Sequence, residues 1–351
     1  MNPLSILGTG RHVRQIVTND AILGYLGITE KYPKKNSDWL IRHIGIRSRS
    51  LNFDCVRGTK AVADEHVLHF ALDAAREAIR NAGIRPQQID GLYLATCTPH
   101  QPHFMATAVE LKRQLGMRLD ALVRQYDGGC AALAPVFLDV QSHAFRFGES
   151  FTVLIVAVND VSSFLDRGLY MRVDHAWLSP VVFADGASAT VLGPGEERHF
   201  LAPIAPYEAS DGDHPLVTHL GGGAERPTSA LTIDDHVYLM DGGDVRVQFG
   251  PAMGRVRSKL LFRAKLSTSD IGRWYLHQAN LRLIENFAKE HQISLDRAPS
   301  NVGSFGNTVS ASTLLLLHDD IENERMPNGP VIFAFVGAGM MEGGAIFMPP
   351  T

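Results

Sequence analysis

QYDGGCAALAP, residues Gln125 to Pro135, is the stretch from which the chain is best read. A hydrophobic approach, Leu119 to Val123, delivers the backbone to an Asp-Gly-Gly turn. Cys130 follows, and the small residues after it start a helix expected from about Ala131 to Arg146. Glycines permit a sharp turn and close packing. Cys130 is therefore expected at or near the first turn of that helix. The unpaired N–H groups and the helix dipole there favour an anion, hence thiolate over thiol. The plainer alternative is a packed core cysteine beside tight glycines. On the functional reading, the remaining chain is a scaffold that brings a base to this sulfur.

The flanking segments have an α/β rhythm. SILGTG, Ser5 to Gly10, reads as a short strand and turn. Lys60 to Asn81 reads as a helix, with Leu68, Leu72, Ala75 and Ile79 on one face. Gly83 and Pro86 end it, and GLYLATCT, Gly91 to Thr98, follows as a buried strand. Phe104 and Met105 open a helix running to about Leu115. FTVLIVAV, Phe151 to Val158, is the apolar run of a strand buried on both faces. VVFADGASATVLGP, Val181 to Pro194, reads as two short strands around an Asp185-Gly186 turn, a structural rather than catalytic feature. From Glu197 to Thr232 the pattern loosens, with four prolines and the run GGGAE, as at a boundary between halves or in a loop over a site.

Composition bounds the function. The chain has 351 residues, 45% of them hydrophobic, enough for one large domain or two fused halves. A formal net charge of −4 argues against nucleic-acid binding. Three cysteines, Cys55, Cys97 and Cys130, are too few and too odd for a disulfide framework and fit a reducing cytoplasm. No basic leader precedes an apolar run, and no apolar stretch reaches the length of a membrane span. His100 and His103 have the spacing of a ligand pair but no third partner in a motif, so no metal is expected.

Five further features carry candidate chemistry. NSDWLIRHIGIRSR, Asn36 to Arg49, places Trp39 among basic residues, where a ring stacks on a nucleotide or simply fills an interface. Ser37 or Asp38 is the expected helix cap and Gly45 the stop. Arg255, Arg257, Lys259, Arg263 and Lys265 occur with no acid between them, either a patch for an acidic partner or a solvated helix face. In WYLHQANLRLIENFAKEHQI, Trp274 to Ile293, His277 stands where a strand opens onto a helix, as an active-site or a loop-bonding histidine. In NVGSFGNTVSASTLLLL, Asn307 lies in a Gly-Asn-Thr turn before a buried helix, as a site residue or a cap. VIFAFVGAGMMEGGAIFM is a strand, a glycine turn around Gly337 to Gly339, and a final strand.

Cys130, His277 and Asn307 each follow a strand or turn and precede a helix. If those ends converge, they form a nucleophile, an imidazole and an amide, the equipment of covalent acyl transfer. Here the sequence resembles the β-ketoacyl-acyl-carrier-protein synthase III family of the thiolase superfamily. The matches are WLIRHIGIRSR, GGCAA, ADGASA at Ala184 to Ala189, HQANLR at His277 to Arg282, FGNTVSAS at Phe305 to Ser312, and the C-terminal glycine turn.

That resemblance implies a thiolase-like five-layer αβαβα fold of two similar halves. Residues 1–195 would carry the cysteine, residues 196–351 the histidine and asparagine, and the chain would form a homodimer. It implies that Cys130 is acylated by an acyl thioester and that His277 and Asn307 stabilise the enolate formed as a malonyl group loses carbon dioxide. Backbone N–H groups of Cys130 and Gly339 would form the oxyanion hole. Trp39 would stack on the adenine of coenzyme A, and Arg282 would bind its phosphates or those of a carrier arm. Phe104 would reach into the partner subunit's acyl pocket. No cofactor would be permanently bound. Substrates would arrive on coenzyme A or on the phosphopantetheine of an acyl-carrier protein docked at the Arg255–Lys265 cluster. The chain also departs from the family pattern. Gly129 precedes the cysteine, and Ala131, Ala132 and Leu133 follow it. His43 replaces a basic residue, Ala184 a glycine, and Arg246 an aromatic beside the tunnel. These departures suggest a specialised pathway. The alternative activity is acyl transfer from Cys130 to an oxygen, nitrogen or non-malonyl carbon acceptor.

Overall fold

The computed structural model describes residues 4–101, 103–147, 150–194, 201–219, 221, 224 and 226–349. Nine strands make its main sheet: β1 (Leu4–His12), β2 (Gly91–Ala95), β3 (Leu122–Tyr126), β4 (Val153–Asn159), β5 (Gly186–Gly193), β6 (Leu201–Ser210), β7 (Arg273–Leu276), β8 (Val331–Gly337) and β9 (Met341–Met348). Seven helices matter to the site: α1 (Ser37–His43), α2 (Val67–Ala82), α3 (Ala106–Leu115), α4 (Leu133–Phe147), α5 (Gly242–Ala264), α6 (Leu281–Glu290) and α7 (Ser312–Glu322).

The strand order, β7-β8-β9-β6-β1-β5-β4-β2-β3, contains one pattern twice. In the first half β2 lies parallel to β3 and β4, β4 antiparallel to β5, and β5 antiparallel to β1. In the second, β7 lies parallel to β8, β8 antiparallel to β9, and β9 antiparallel to β6. The halves meet edge to edge where Leu4 pairs with Ala202 and Ser5 with Leu201. No repeat is legible in the sequence, because burial on both faces demands only apolar residues, which many sequences supply.

Helices cover both faces and fill the middle. α2 packs on β1, β5 and β4, with α3 beside it on β2 and β3. α5 packs on β6, β8 and β9, with α6 against it. The two middle helices are exchanged. α4, from the first half, lies on β6 and β9, while α7, from the second, lies on β1 and β5. Phe137 of α4 touches Phe333, Phe335 and Phe347, with ring centroids 5.6, 5.9 and 5.4 Å away. The layers therefore run helix, sheet, helix, sheet, helix. No helix among the described residues is long and apolar enough to cross a membrane.

Several local expectations change. α2 starts at Val67, not Lys60: Thr59 and Lys60 pair with Phe53 and Asp54, and the His66 side chain caps the helix by accepting from Leu68 N–H. Asn36, rather than Ser37 or Asp38, caps α1 by accepting from Trp39 N–H. Val181 and Val182 end a short helix from Leu178, so Gly186–Gly193 is the single strand of that segment. β6 runs through the loosened region despite Pro203 and Pro206. Its pairing with β9 shifts register between Leu201 and Ile204 and again between Ile204 and Tyr207, which leaves the prolines outside the regular ladder. The expected boundary between residues 195 and 196 lies outside the described residues, as do Gly222, Gly223 and Glu225 of the GGGAE run.

Candidate active site

β3 ends at Tyr126, and the chain turns through Asp127, Gly128 and Gly129 into a single 3-10 turn, Gly129–Ala131. α4 begins two residues later, at Leu133. Gly129 has φ +50, which favours glycine. Gly337, at the end of β8, lets this turn approach: a Cβ there would lie 2.5 Å from Ala131 N. Cys130 thus stands ahead of α4 rather than in its first turn. It is buried, and burial pushes its thiol up to about 12, although the Asn307 amide pulls the other way. The expectation of a ready thiolate is corrected: desolvation of the charged sulfur outweighs the local N–H groups.

Asn307 is the residue that meets this sulfur. Its Nδ2 lies 3.9 Å from Cys130 Sγ, and its Oδ1 accepts from Val309 N–H at 2.9 Å, so the amide is oriented with its donors toward the thiol. The backbone on either side is fastened to the other half. Asn307 N–H donates to Val182 O (2.9 Å), and Ala184 N–H donates to Asn307 O (2.8 Å). This bridge explains the ADGASA segment as support. Asp185, fully buried, accepts from Asn52 N–H at 2.6 Å, from Ser162 N–H at 2.9 Å and from the Ser162 hydroxyl. Asn307 is not a helix cap: α7 begins only at Ser312.

His277 follows β7 directly, and its N–H donates to Ala334 O at 2.8 Å. It is buried, burial alone holds its pKa down at about 3, and Nδ1 has no partner among the described residues. The next residue, Gln278, is one that sequence reading missed. Its Oε1 accepts from Ser300 Oγ (2.9 Å) and Asn301 N–H (3.1 Å), tying the histidine segment to the segment that carries Asn307.

A cavity of about 370 Å³ opens beside Cys130. Its wall is largely apolar, including Leu51, Val161, Leu165, Phe183, Val217 and Val309. Asp127, Cys97, His219 and Tyr238 give it polar points that no motif announced.

The other expected site residues lie elsewhere or are already engaged. Arg246 is exposed in the first part of α5 and is not part of the cavity wall. Phe104 is 95% exposed, so within this chain it lines nothing. Gly339, with φ +113, already donates its N–H to Pro215 O at 2.9 Å, so the expected oxyanion donor is engaged. Arg282 donates to Ile41 O (2.9 Å) and Arg42 O (3.1 Å) and pairs with Glu285 at 2.7 Å, which fastens α1 to α6. Trp39 is half-buried, stacked on His43 at 4.6 Å, with Lys35 Nζ 3.8 Å from its ring centroid. Of the basic cluster, Arg255 pairs with buried Glu342 at 2.6 Å, Arg257 bonds Thr268, and Arg263 bonds the Pro206 carbonyl. His100 stacks on His66 at 4.6 Å, and no group of three or more ligating side chains suited to a metal occurs among the described residues.

Comparison with known proteins agrees with this architecture. Residues 261–348 match the family model described as the 3-oxoacyl-[acyl-carrier-protein] synthase III C terminal. The chain is 30% identical to the β-ketoacyl-[acyl-carrier-protein] synthase III of Roseiflexus castenholzii, over 98% of each chain. It is 27% identical to that of Coxiella burnetii, over 97% of this chain and 98% of the relative. The crystal structure of the 3-oxoacyl-(acyl carrier protein) synthase III of Pseudomonas aeruginosa superposes with a TM-score of 0.80 at 24% identity, over 99% of both chains. That of OleA from Xanthomonas campestris does so at 0.79 and 17%, again over 99% of both. These two structural likenesses establish the thiolase-like fold. With near-complete coverage at 30% identity, the chain belongs to the β-ketoacyl-acyl-carrier-protein synthase III family of condensing enzymes.

Proposed function

We propose that this protein condenses acyl thioesters by way of an acyl group held on Cys130. The observation that carries the reading is the Asn307 amide aimed at the Cys130 sulfur across the wall of an apolar cavity. In the first half-reaction the thiol sulfur attacks the carbonyl of a coenzyme A thioester. The new carbon–sulfur bond replaces the old one, and coenzyme A leaves as a thiol with the proton. In the second, a malonyl thioester carried by coenzyme A or an acyl-carrier protein loses carbon dioxide. The bonding pair remains as an enolate, stabilised by N–H donors of Asn307 and His277. A neutral histidine serves as such a donor, which is the state its burial favours. The enolate carbon attacks the acyl carbonyl, and Cys130 leaves and regains a proton.

The engaged N–H of Gly339 fits this scheme if the backbone at Pro215 withdraws when acyl oxygen arrives. The protein would work without a resident cofactor, with Trp39 and Arg282 near the coenzyme A entry and Phe104 at the contact between two subunits. The test is intact-protein mass after exposure to an acyl-coenzyme A. We expect a mass increase equal to one acyl group, mapped to Cys130 and lost in Cys130→Ala. An adduct that persists in that variant overturns the assignment.

A further inference from the structure

The segment that seats Asn307 is itself held by a buried carboxylate. Phe183 bridges Asn307 in parallel, and the bonds of Asn307 to Val182 O and Ala184 N–H clasp its backbone from both sides. The packing on either flank is tight. A Cβ on Gly306 would meet Ala184 Cβ at 3.1 Å, and one on Gly186 would meet Thr308 Cγ2 at 3.0 Å. Movement of residues 184–186 therefore moves Asn307. Asp185, between them, is fully buried, and it is not part of the cavity wall. Its own N–H donates to Ser50 O at 2.7 Å, and its carboxylate gathers Asn52 N–H, Ser162 N–H and the Ser162 hydroxyl. Three separate stretches of chain thus meet at one side chain.

Stability alone does not account for this carboxylate. The nearby cations are taken up elsewhere: Lys60 pairs with Asp160 at 3.0 Å, and Arg14 pairs with Glu65. Burial, with Asp160 adding to it, pushes the Asp185 carboxyl up to about 7, against the pull of its three donors. An apolar side chain of similar volume commonly serves a core as well or better. What an apolar side chain lacks is direction. Charge-assisted hydrogen bonds fix the position and angle of the groups that donate them. We propose that Asp185 is a positioning residue, which acts through Ala184 to hold the Asn307 amide in line with the Cys130 sulfur. This rests on the reading that Asn307 stabilises the enolate. It concerns the second half-reaction, because apart from the Asn307 amide none of these bonds reaches the Cys130 turn.

The experiment follows Cys130 acylation by butyryl-coenzyme A, read by intact-protein mass, and carbon dioxide release from malonyl-coenzyme A or a malonyl-carrier protein. The proteins are wild type, Asp185→Asn and Ser162→Ala, each alone and combined with Asn307→Ala, and Asn307→Ala itself. All are checked by thermal unfolding. In Asp185→Asn the amide oxygen still accepts, but the NH2 group faces a donor. We expect kcat for carbon dioxide release to fall about tenfold, with KM for the malonyl thioester and the acylation rate within about twofold of wild type. Ser162→Ala removes one donor and keeps the carboxylate, so it should shift the same ratio by about threefold. It carries the test should Asp185→Asn fail to fold. In the Asn307→Ala background neither change should slow carbon dioxide release further, because a residue that acts through Asn307 has nothing left to position. Unchanged rates, equal losses in both half-reactions, or a further loss of the same size in that background overturn the role of Asp185 and leave that of Asn307 standing. Undiminished carbon dioxide release in Asn307→Ala overturns the reading on which it rests.

Discussion

At the scale of single residues, the Cys130–Asn307 contact makes two separable demands. Asn307 must hold its Oδ1 on Val309 N–H and offer its Nδ2 to the site. Asn307→Asp keeps an acceptor and removes the donor. We expect it to acylate near the wild-type rate but to release carbon dioxide from malonyl thioester roughly a hundredfold more slowly, about 3 kcal/mol of lost charge stabilisation. Radiolabelled carbon dioxide release against adduct formation measures the split, and equal loss of both rates would mean a structural role. Cys130 also fixes a pH dependence. An acid whose pKa is raised stays protonated, so at pH 7 the sulfur is a thiol. Alkylation of free enzyme by iodoacetamide should therefore climb about tenfold per pH unit from pH 7 to 10 without a plateau. A plateau near pH 7 would show that the ready thiolate exists after all. These residues were legible in the sequence because each follows a strand or turn and precedes a helix, a pattern confined to a few neighbours. The place of Asp127 was not: its Asp-Gly-Gly setting reads as turn chemistry, and only the fold puts it in the cavity wall.

At the scale of elements, α5 divides a charge run that looked uniform in sequence. Arg255 is bound to Glu342, whose carboxylate is buried and also accepts from Tyr207 at 3.1 Å. Removing that partner leaves a buried carboxylate unpaired. Allowing for solvent around the half-exposed arginine, Arg255→Met should cost about 2 kcal/mol and lower Tm by several degrees in calorimetry. The side chains of Lys259 and Lys265, by contrast, are exposed, although the Lys265 backbone caps α5. If this face receives an acidic carrier protein, Lys259→Glu with Lys265→Glu should raise KM for carrier-bound extender about threefold at low salt and hardly at all at high salt, with Tm unchanged. An unchanged KM at low salt would make the face merely solvated. The sequence shows five cations close together with no acid between them. It does not show which of them meet acids from other strands, because Glu342 is 87 residues away from Arg255.

At the scale of the whole molecule, the doubled strand order and the exchanged middle helices decide how the halves depend on each other. We propose a boundary near residues 195 and 196, with the cysteine half before it and the histidine–asparagine half after. Neither half closes alone. The apolar face of α4, with Leu133, Val136, Phe137 and Val140 buried, rests on strands of the other half. This has a consequence for synthesis. A ribosome that has made the first half has released α4 with no sheet to lie on, and β9 is the last strand of the chain. At ordinary elongation rates that face waits on the order of 10 s or more before its partner emerges. The nascent protein is thus a natural client for a chaperone that shields apolar helices. Chains stalled near residue 195 should be digested by protease within α4, while chains released at full length become resistant. Protection of α4 in the stalled chain would show that the first half folds by itself.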